Sequence, residues 1–418
     1  MSPAKSELPS APLLVALTLL VLVYLWRDFG LLTQTPLGPG WDFMANCDAS
    51  YAYAAGKNPY LPESYSLSRL LYTYPPVFLP FTNALCRGLR IDDLRHVNAY
   101  LPFLFATLAL AVGAALILAK ATAKSALFVF VFASAYGGVF WILRTGNLSA
   151  FEVGCLTLSL ACLLRSLRPG GPHVGAGYAF AALFGLFCGF KTVYCALIPL
   201  FFVLPAPAMT KARWAALALA LGLAPALLSL WFYPDFVAQQ VVNVVADQAR
   251  CNPSLLCLAT HLHNRPPIDL AVMLWTVAMV AASMAALAFY ALNAPLAAIW
   301  RGTGFADERQ AFRVFVLLLM IAIGLFPRLK EYSYGLAAVG LAFAVIAQRD
   351  GERLGRAAIL AAAAPLLALH PTLQAYSPLT FWAQLAALWT SIVVLLAAEY
   401  RPFLASVRPA APALRSAA

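Results

Sequence analysis

Long apolar runs separated by short polar connections make up most of the chain. Because backbone groups inside a bilayer must be satisfied within their own segment, such runs predict membrane helices and not an alternating-strand barrel. A helix needs roughly 20 residues to cross the hydrocarbon core, so we predict an all-α polytopic membrane bundle of about twelve spans in one domain, 1–418. The predicted spans are 12–32, 96–118, 125–142, 148–164, 175–190, 192–205, 215–232, 267–292, 312–327, 335–347, 357–369 and 381–400.

The composition excludes an ordinary soluble domain. Hydrophobic residues are 62% of the 418 and charged residues only 11%, whereas soluble domains have roughly a quarter charged residues. The net charge of +11 is compatible with nucleic-acid binding, but the lysines and arginines cluster in the connections between apolar runs. That placement indicates membrane topology. We therefore predict membrane lipids as partners and no nucleic acid.

The positions of the basic residues predict the orientation. With a cytoplasmic N-terminus, the basic connections at 120–124, 165–168, 211–213, 301–309 and 349–356 all lie inside, as the positive-inside rule requires. This works only if the apolar stretch after YTYPPVFLPF turns back without crossing. We therefore predict one extracytoplasmic segment at 33–95 with interfacial or re-entrant helices, and a second at 233–266. The first apolar run is interpreted as a retained span, not a signal peptide.

The cysteines and histidines give weak signals. Cys251 and Cys257 in the second outer segment are either a disulfide or two free thiols. We interpret the other six cysteines as buried packing residues. His261 and His263 form the only close histidine pair. Two such residues can contribute to a metal site, but in an outer segment we expect solvated or interfacial side chains and no metal. The chain contains no Walker, Rossmann, HExxH or GxSxG motif.

Polar residues concentrate at the predicted outer surface. Ionisable groups at membrane depth are costly, so each needs a partner or a function. Their shared location predicts a cavity that is open to the outer leaflet. The residues are Asp42, Asp48 and Tyr60 in WDFMANCDASYAYAAGKNPY; Arg144, Asn147 and Glu152 in LRTGNLSAFEVG; Lys191 in GLFCGFKTVYCALIPL; and Arg328, Lys330, Glu331 and Tyr332 in GLFPRLKEYSYG.

The chemistry of these groups favours a phosphate-bearing lipid and a sugar. Lysine and arginine bind phosphate oxygens through charge-assisted hydrogen bonds, and a carboxylate suits general-base work on a sugar hydroxyl. Structural alternatives remain open. Lys191 can snorkel to the interface, Glu152 can be neutral or salt-bridged inside the bundle, and the segment 328–331 can be a solvated turn.

The order and spacing of these motifs resemble a known family. Asp42 is followed fourteen residues later by Gly56 and then by Pro59 and Tyr60. YTYPPVFLPF, a Gly-Asn turn, GFKTVYCALIPL and FPRLKEYSY come next in the chain. The set, over roughly residues 12 to 345, resembles glycosyltransferase family 87. These are integral-membrane enzymes of the GT-C type, typified by mannosyltransferases that use polyprenyl-phosphate mannose.

The resemblance implies a function and a set of roles. It implies transfer of a sugar, first of all mannose, from a polyprenyl-phosphate donor to a lipid-linked or glycan acceptor, with inversion and without a cofactor or metal. Asp42 is the expected general base. Lys191, Arg328, Lys330 and Arg144 are expected to bind the donor phosphate. Asp48, Tyr60, Asn147, Glu331 and Tyr332 are expected to bind substrate.

Two alternatives remain at this point. The donor sugar is alternatively arabinofuranose or glucose. A transporter or flippase for a polyprenyl-linked or anionic solute also fits many spans with intramembrane charges. The Arg/Ala-rich composition suits a bacterium of high genomic GC content. We therefore predict the bacterial inner membrane, with the site facing the periplasm.

Overall fold

Helices are the only regular elements in the described part of the chain. The computed structural model describes residues 10–32, 40–64, 70–91, 123–135, 142–143, 145–167, 174–248, 267–293, 308–325, 333–347 and 385–397, with isolated residues at 100, 104, 107, 112–114 and 383. Within these ranges no strand occurs, which confirms the all-α prediction.

Most of the predicted apolar runs coincide with helices, with boundaries that differ by up to seven residues. The exceptions are the runs 96–118 and 357–369, which lie largely or wholly outside the described residues. In chain order the helices are α1 (Ala11–Leu32), α2 (Trp41–Ala54), α3 (Leu79–Gly88), α4 (Ala123–Ala135), α5 (Ser149–Ser166), α6 (Val174–Phe190), α7 (Ala208–Phe232), α8 (Pro234–Gln248), α9 (Pro267–Asn293), α10 (Glu308–Leu325), α11 (Ser333–Ile346) and α12 (Leu385–Ala397). Short 3-10 helices lie at Pro62–Ser64 and Pro76–Phe78, and a longer one at Thr192–Val203.

Helix α5 is central to the packing. It contacts α6 and α11, α6 packs on α7, and α11 packs on α4 and α10. Helices α6 and α7 approach closely at Gly185, where an added Cβ would lie 2.7 Å from the Ala218 carbonyl oxygen. Small residues at such crossings allow two backbones to approach each other.

Two of the described helices, α5 and α7, are long and apolar enough to cross a membrane. They differ in their surroundings. In the apolar window of α5, 72% of residues are buried, whereas in α7 only 17% are. The outward face of α7 carries large apolar side chains, and Trp231 at its end is 82% exposed. The count of twelve spans stays a prediction.

Short helices form the first predicted outer segment. Helix α2 has 14 residues and α3 has 10, which is well below the roughly 20 needed to cross a bilayer. Helix α2 ends in a Schellman motif at Gly56, which has φ of 70°. There the Lys57 N–H donates to the Ala52 carbonyl and the Gly56 N–H to the Tyr53 carbonyl, so the last carbonyls of α2 are satisfied.

A disulfide joins these two short helices and corrects the interpretation of the cysteines. Cys47 in the middle of α2 is bonded to Cys86 near the end of α3, with their Cα atoms 5.7 Å apart. The prediction that these two cysteines are packing residues was wrong, because they lie 39 residues apart and only the packing of α2 on α3 brings them together. Cys251 and Cys257 lie outside the described residues.

We predict that the disulfide stabilises the fold. Replacing both Cys47 and Cys86 with serine removes a covalent link that closes a loop of 39 residues, and loop-closure entropy assigns such a link about 4 kcal/mol. Thermal unfolding in detergent should therefore occur at a clearly lower temperature in the double variant. A reductant should lower the unfolding temperature of the wild type and leave that of the double variant unchanged. Equal melting of both proteins would contradict the prediction.

Candidate functional site

Asp42 is the second residue of α2 and lies in its first turn, after the N-cap residue Gly40. Negative charge is favoured there by the helix dipole and the unpaired N–H groups of the first turn. The side chain is partly exposed. The Asn147 side-chain amide donates to Asp42 Oδ2 over 2.8 Å. The carboxylate is therefore both oriented and accessible.

Asn147 can orient that carboxylate because two other hydrogen bonds hold its amide. Its Oδ1 accepts from the Ser149 backbone N–H at 2.8 Å and from the Tyr74 hydroxyl at 3.1 Å. Since a backbone N–H can only donate, the oxygen must face Ser149 and the nitrogen must face Asp42. The bond to Ser149 is an Asx-type turn that begins α5.

Gly146 allows this turn to touch α2. It has φ of 68°, a conformation that favours glycine. An added Cβ would also lie 2.7 Å from Phe43 Cβ, 2.9 Å from the Tyr100 ring and 3.1 Å from Gly40 Cα. The Gly-Asn turn that the sequence showed thus packs directly against the start of α2.

Lys191 and Glu152 form a salt bridge inside the bundle, which is one of the alternatives left open by the sequence. Lys191 Nζ donates to Glu152 Oε2 at 2.9 Å. The glutamate is fully buried, while the lysine side chain is 29% exposed. Glu152 Oε1 is buried and has no hydrogen-bond partner in the described part of the chain. The pair therefore presents its cation, and not its carboxylate, toward the surface.

The pKa of the Tyr74 hydroxyl responds to both carboxylates, Glu152 and Asp42. Burial raises the pKa of its hydroxyl well above the ordinary value, and the negative charges of Glu152 and then Asp42 raise it further. The hydroxyl therefore stays protonated at physiological pH and donates to Asn147. Sequence reasoning missed Tyr74 as a site residue. Its place in YTYPPVFLPF, a motif already noted, was the available signal.

The other predicted site residues divide into two groups. Asp48 is 1% exposed and Tyr60 is fully buried; Asp48 follows Asp42 by six residues, which is about 120° around α2. The Tyr60 hydroxyl donates to the Tyr74 carbonyl at 2.7 Å, so Tyr60 supports the backbone beside the site. The remaining five, for which the predicted roles stay predictions, lie outside the described residues: Arg144, Arg328, Lys330, Glu331 and Tyr332.

The arrangement offers two chemical functions. An oriented, partly exposed carboxylate can accept a proton from a hydroxyl, and a partly exposed ammonium can bind an anion. Within the described ranges, no three histidine, cysteine, aspartate or glutamate side chains are grouped to hold a metal ion.

Comparison with known proteins adds no identification. No protein-family model, no curated protein and no solved structure matches the chain. The family resemblance therefore depends on the motifs alone.

We predict that Gly146→Ala destabilises the protein more than Gly56→Ala. Both glycines have positive φ, but an added Cβ at Gly56 meets nothing within 4 Å. Gly56→Ala should cost about 1 kcal/mol from backbone strain alone. Gly146→Ala also brings the new Cβ into collision with Phe43 and Gly40. Such overpacking should cost about 1–3 kcal/mol more. Unfolding in denaturant checks the order, and equal losses would show that the contact at Gly146 relaxes freely.

Proposed function

We propose that this chain is an integral-membrane glycosyltransferase that transfers a sugar from a polyprenyl-phosphate donor to a lipid-linked or glycan acceptor. The observation that carries the proposal is the hydrogen bond from Asn147 to Asp42. It orients a partly exposed carboxylate in the first turn of a helix. The family 87 resemblance assigns the base to this same aspartate.

The exposed apolar surfaces support a bundle with many membrane spans. Leu227, Leu230 and Phe232 on α7 are each more than half exposed, as are Leu19 and Val23 on α1. Contiguous apolar surface of this kind is rare on soluble monomers and is normal against lipid. We propose that the fold is a GT-C type bundle of about twelve spans, with α2 and α3 at the outer interface.

The disulfide supports the proposed orientation independently of the basic residues. Disulfides persist in oxidising compartments and are rare in the cytosol. The Cys47–Cys86 bond lies in the segment 33–95, which the positive-inside rule also places outside. We propose that the site faces the periplasm from the inner membrane of a bacterium.

The proposed reaction is a single displacement with inversion. Asp42 accepts the proton of the acceptor hydroxyl while that oxygen attacks the anomeric carbon of the sugar. The bond from the anomeric carbon to the phosphate oxygen breaks, and its electron pair leaves with the polyprenyl phosphate. Lys191 stabilises the charge that develops on that phosphate, together with the predicted phosphate ligands Arg144, Arg328 and Lys330. The residues require neither cofactor nor metal for these steps.

The identity of the sugar and the alternative function, transport, depend on weaker observations. Mannose is the proposed sugar on the resemblance, with arabinofuranose and glucose as alternatives. A transporter or flippase is favoured by one feature, the salt bridge between the buried Glu152 and the partly exposed Lys191, since ionisable pairs inside bundles mark ion and solute pathways. Asp42 favours the enzyme, because it lies at a helix start beside the predicted outer face and not within a span.

We predict that Asp42→Asn abolishes transfer and preserves the fold. The asparagine oxygen can still accept from Asn147, so the local hydrogen bond survives, but the amide cannot take a proton. Loss of a general base typically costs about 10²- to 10⁴-fold in rate. Transfer of labelled mannose from a synthetic polyprenyl phosphate measures this change.

Asp235 provides a matched control for Asp42. It is an exposed carboxylate in the first turn of α8, so Asp235→Asn should retain wild-type transfer. If the Asp42→Asn protein stays active, the base must be reassigned, and Asp48→Asn is the next variant to assay.

We also predict that Lys191→Met raises the KM for the donor. The same substitution should lower the stability of the protein, so the two effects must be measured separately. Removing Lys191 leaves Glu152 buried without its cation, a change that typically costs about 3 kcal/mol or more. The double variant Lys191→Met/Glu152→Gln removes both charges and should regain much of the stability. Its KM for the donor should remain raised. A double variant with wild-type donor KM would exclude Lys191 from the phosphate site.

A further inference from the structure

A buried amide on α8 joins two stretches of the first outer segment. Asn243 is 3% exposed, and its Nδ2 donates to the Tyr60 carbonyl at 2.9 Å and to the Tyr72 carbonyl at 3.1 Å. From the preceding turn of α8, Gln240 Nε2 donates to the Thr73 carbonyl at 3.1 Å. Helix α8 thus provides donors to the backbone on both sides of residues 61–71.

The hydrogen bonds continue from this amide to Asp42. The Tyr60 hydroxyl donates to the Tyr74 carbonyl at 2.7 Å, and the Tyr74 hydroxyl donates to Asn147 Oδ1 at 3.1 Å. Asn147 Nδ2 then donates to Asp42 Oδ2 at 2.8 Å. We refer to Asn243, Tyr60, Tyr74, Asn147 and Asp42 as the positioning chain.

Packing leaves the middle of the positioning chain little freedom. Tyr60 and Tyr72 are at most 1% exposed and Tyr74 is 7% exposed. The Tyr60 and Tyr72 ring centroids are 5.4 Å apart, and Phe236 of α8 lies 6.1 Å from the Tyr60 ring. In a close-packed interior, a shift of one ring requires its neighbours to shift as well. Displacement at Asn243 therefore passes to the Tyr74 hydroxyl.

We propose that Asn243 is a positioning residue, which sets the orientation of Asp42 through Tyr60, Tyr74 and Asn147. Asn243 donates to two buried carbonyls, and taking a donor away from a buried acceptor is costly. We therefore expect the loss of Asn243 to move the backbone at 72–74. Tyr74 then no longer fixes Asn147, and Asn147 no longer fixes the carboxylate. The consequence for catalysis rests on the proposed function. The structural coupling from α8 to the turn at Asn147 does not.

The first test measures that coupling without any assay of activity. Hydrogen exchange by mass spectrometry is compared among the wild type, Asn243→Leu and Tyr60→Phe in detergent. Both variants should speed exchange not only at 72–78 but also in the peptide 145–152, which contains the Ser149 N–H bonded to Asn147. We expect a roughly fivefold increase there, the factor that the loss of one net hydrogen bond produces.

Two matched controls accompany these variants. Val242→Ala changes the neighbouring residue of α8, which is 57% exposed. Tyr178→Phe removes a tyrosine hydroxyl on α6, outside the positioning chain. Neither should change exchange in 145–152. Should Asn243→Leu fail to fold, Asn243→Ala replaces it, because it deletes the same two donors without adding apolar bulk. Tyr60→Phe tests the next link separately, since it deletes one hydroxyl and retains the buried ring.

The second test measures transfer kinetics in a double-mutant cycle with Tyr74→Phe. Asn243→Leu alone should lower kcat by roughly 10- to 100-fold at unchanged donor KM, since small misplacements of reacting groups have effects of this size. In the Tyr74→Phe background, Asn243→Leu should lower kcat by a further factor of about two at most, because the positioning chain is already interrupted at Tyr74.

The outcomes separate this inference from the proposed function. Unchanged exchange in 145–152 for a folded Asn243 variant overturns the inference, whatever the activity and whatever Tyr60→Phe does. Full additivity of the kcat losses also overturns it, because Asn243 would then act by another route. Coupled exchange in a protein without any transfer supports the positioning chain and contradicts the glycosyltransferase.

Discussion

The candidate site depends on the three hydrogen bonds of a single side-chain amide. Asn147 bonds at once to the start of α5, to the tyrosine of the YTYPP segment and to the carboxylate at the start of α2. Each of these groups belongs to a different part of the chain, so the amide joins three segments at one point. Gly146 permits the arrangement because it leaves no Cβ between the turn and α2.

The ionisable groups lie in two different kinds of environment: some are buried and paired, and one carboxylate is accessible. The Glu152 charge is buried and compensated by Lys191, and Lys211 and Arg313 donate to the Phe202 and Ala347 carbonyls near helix ends. Asp42, in contrast, keeps part of its surface accessible. Compensation of a buried charge serves stability, because an unpaired one costs several kcal/mol. An accessible and oriented carboxylate is what proton transfer requires.

The pattern of apolar and polar residues predicted most helices. It predicted less of the site, because the site depends on contacts between residues far apart in the chain. The apolar runs predicted the bounds of helices such as α5, α6 and α9 within a few residues. The reason is that the backbone groups of each run must be satisfied by hydrogen bonds within that run. Asp42, Asn147 and Lys191 were identified because polar groups are conspicuous in apolar sequence.

The contacts between distant residues were not accessible to the same reasoning. These contacts depend on how helices pack. The Cys47–Cys86 bond depends on α2 and α3, the Lys191–Glu152 pairing on α5 and the end of α6, and the role of Tyr60 on α8. Asn243 gave no signal at all, because a lone asparagine in a helix resembles many solvated ones. Its importance arises only from the two carbonyls that it meets.

The measurement that tests the proposed glycosyltransferase activity most directly uses the purified protein in proteoliposomes with labelled mannosyl polyprenyl phosphate and a glycolipid acceptor. Chromatography separates label joined to the acceptor from unchanged donor, and a membrane-impermeant oxidant reports which leaflet the donor occupies. The account predicts label in a new glycolipid, with inverted anomeric configuration. Unchanged donor that accumulates in the opposite leaflet, without new product, would contradict it and establish transport.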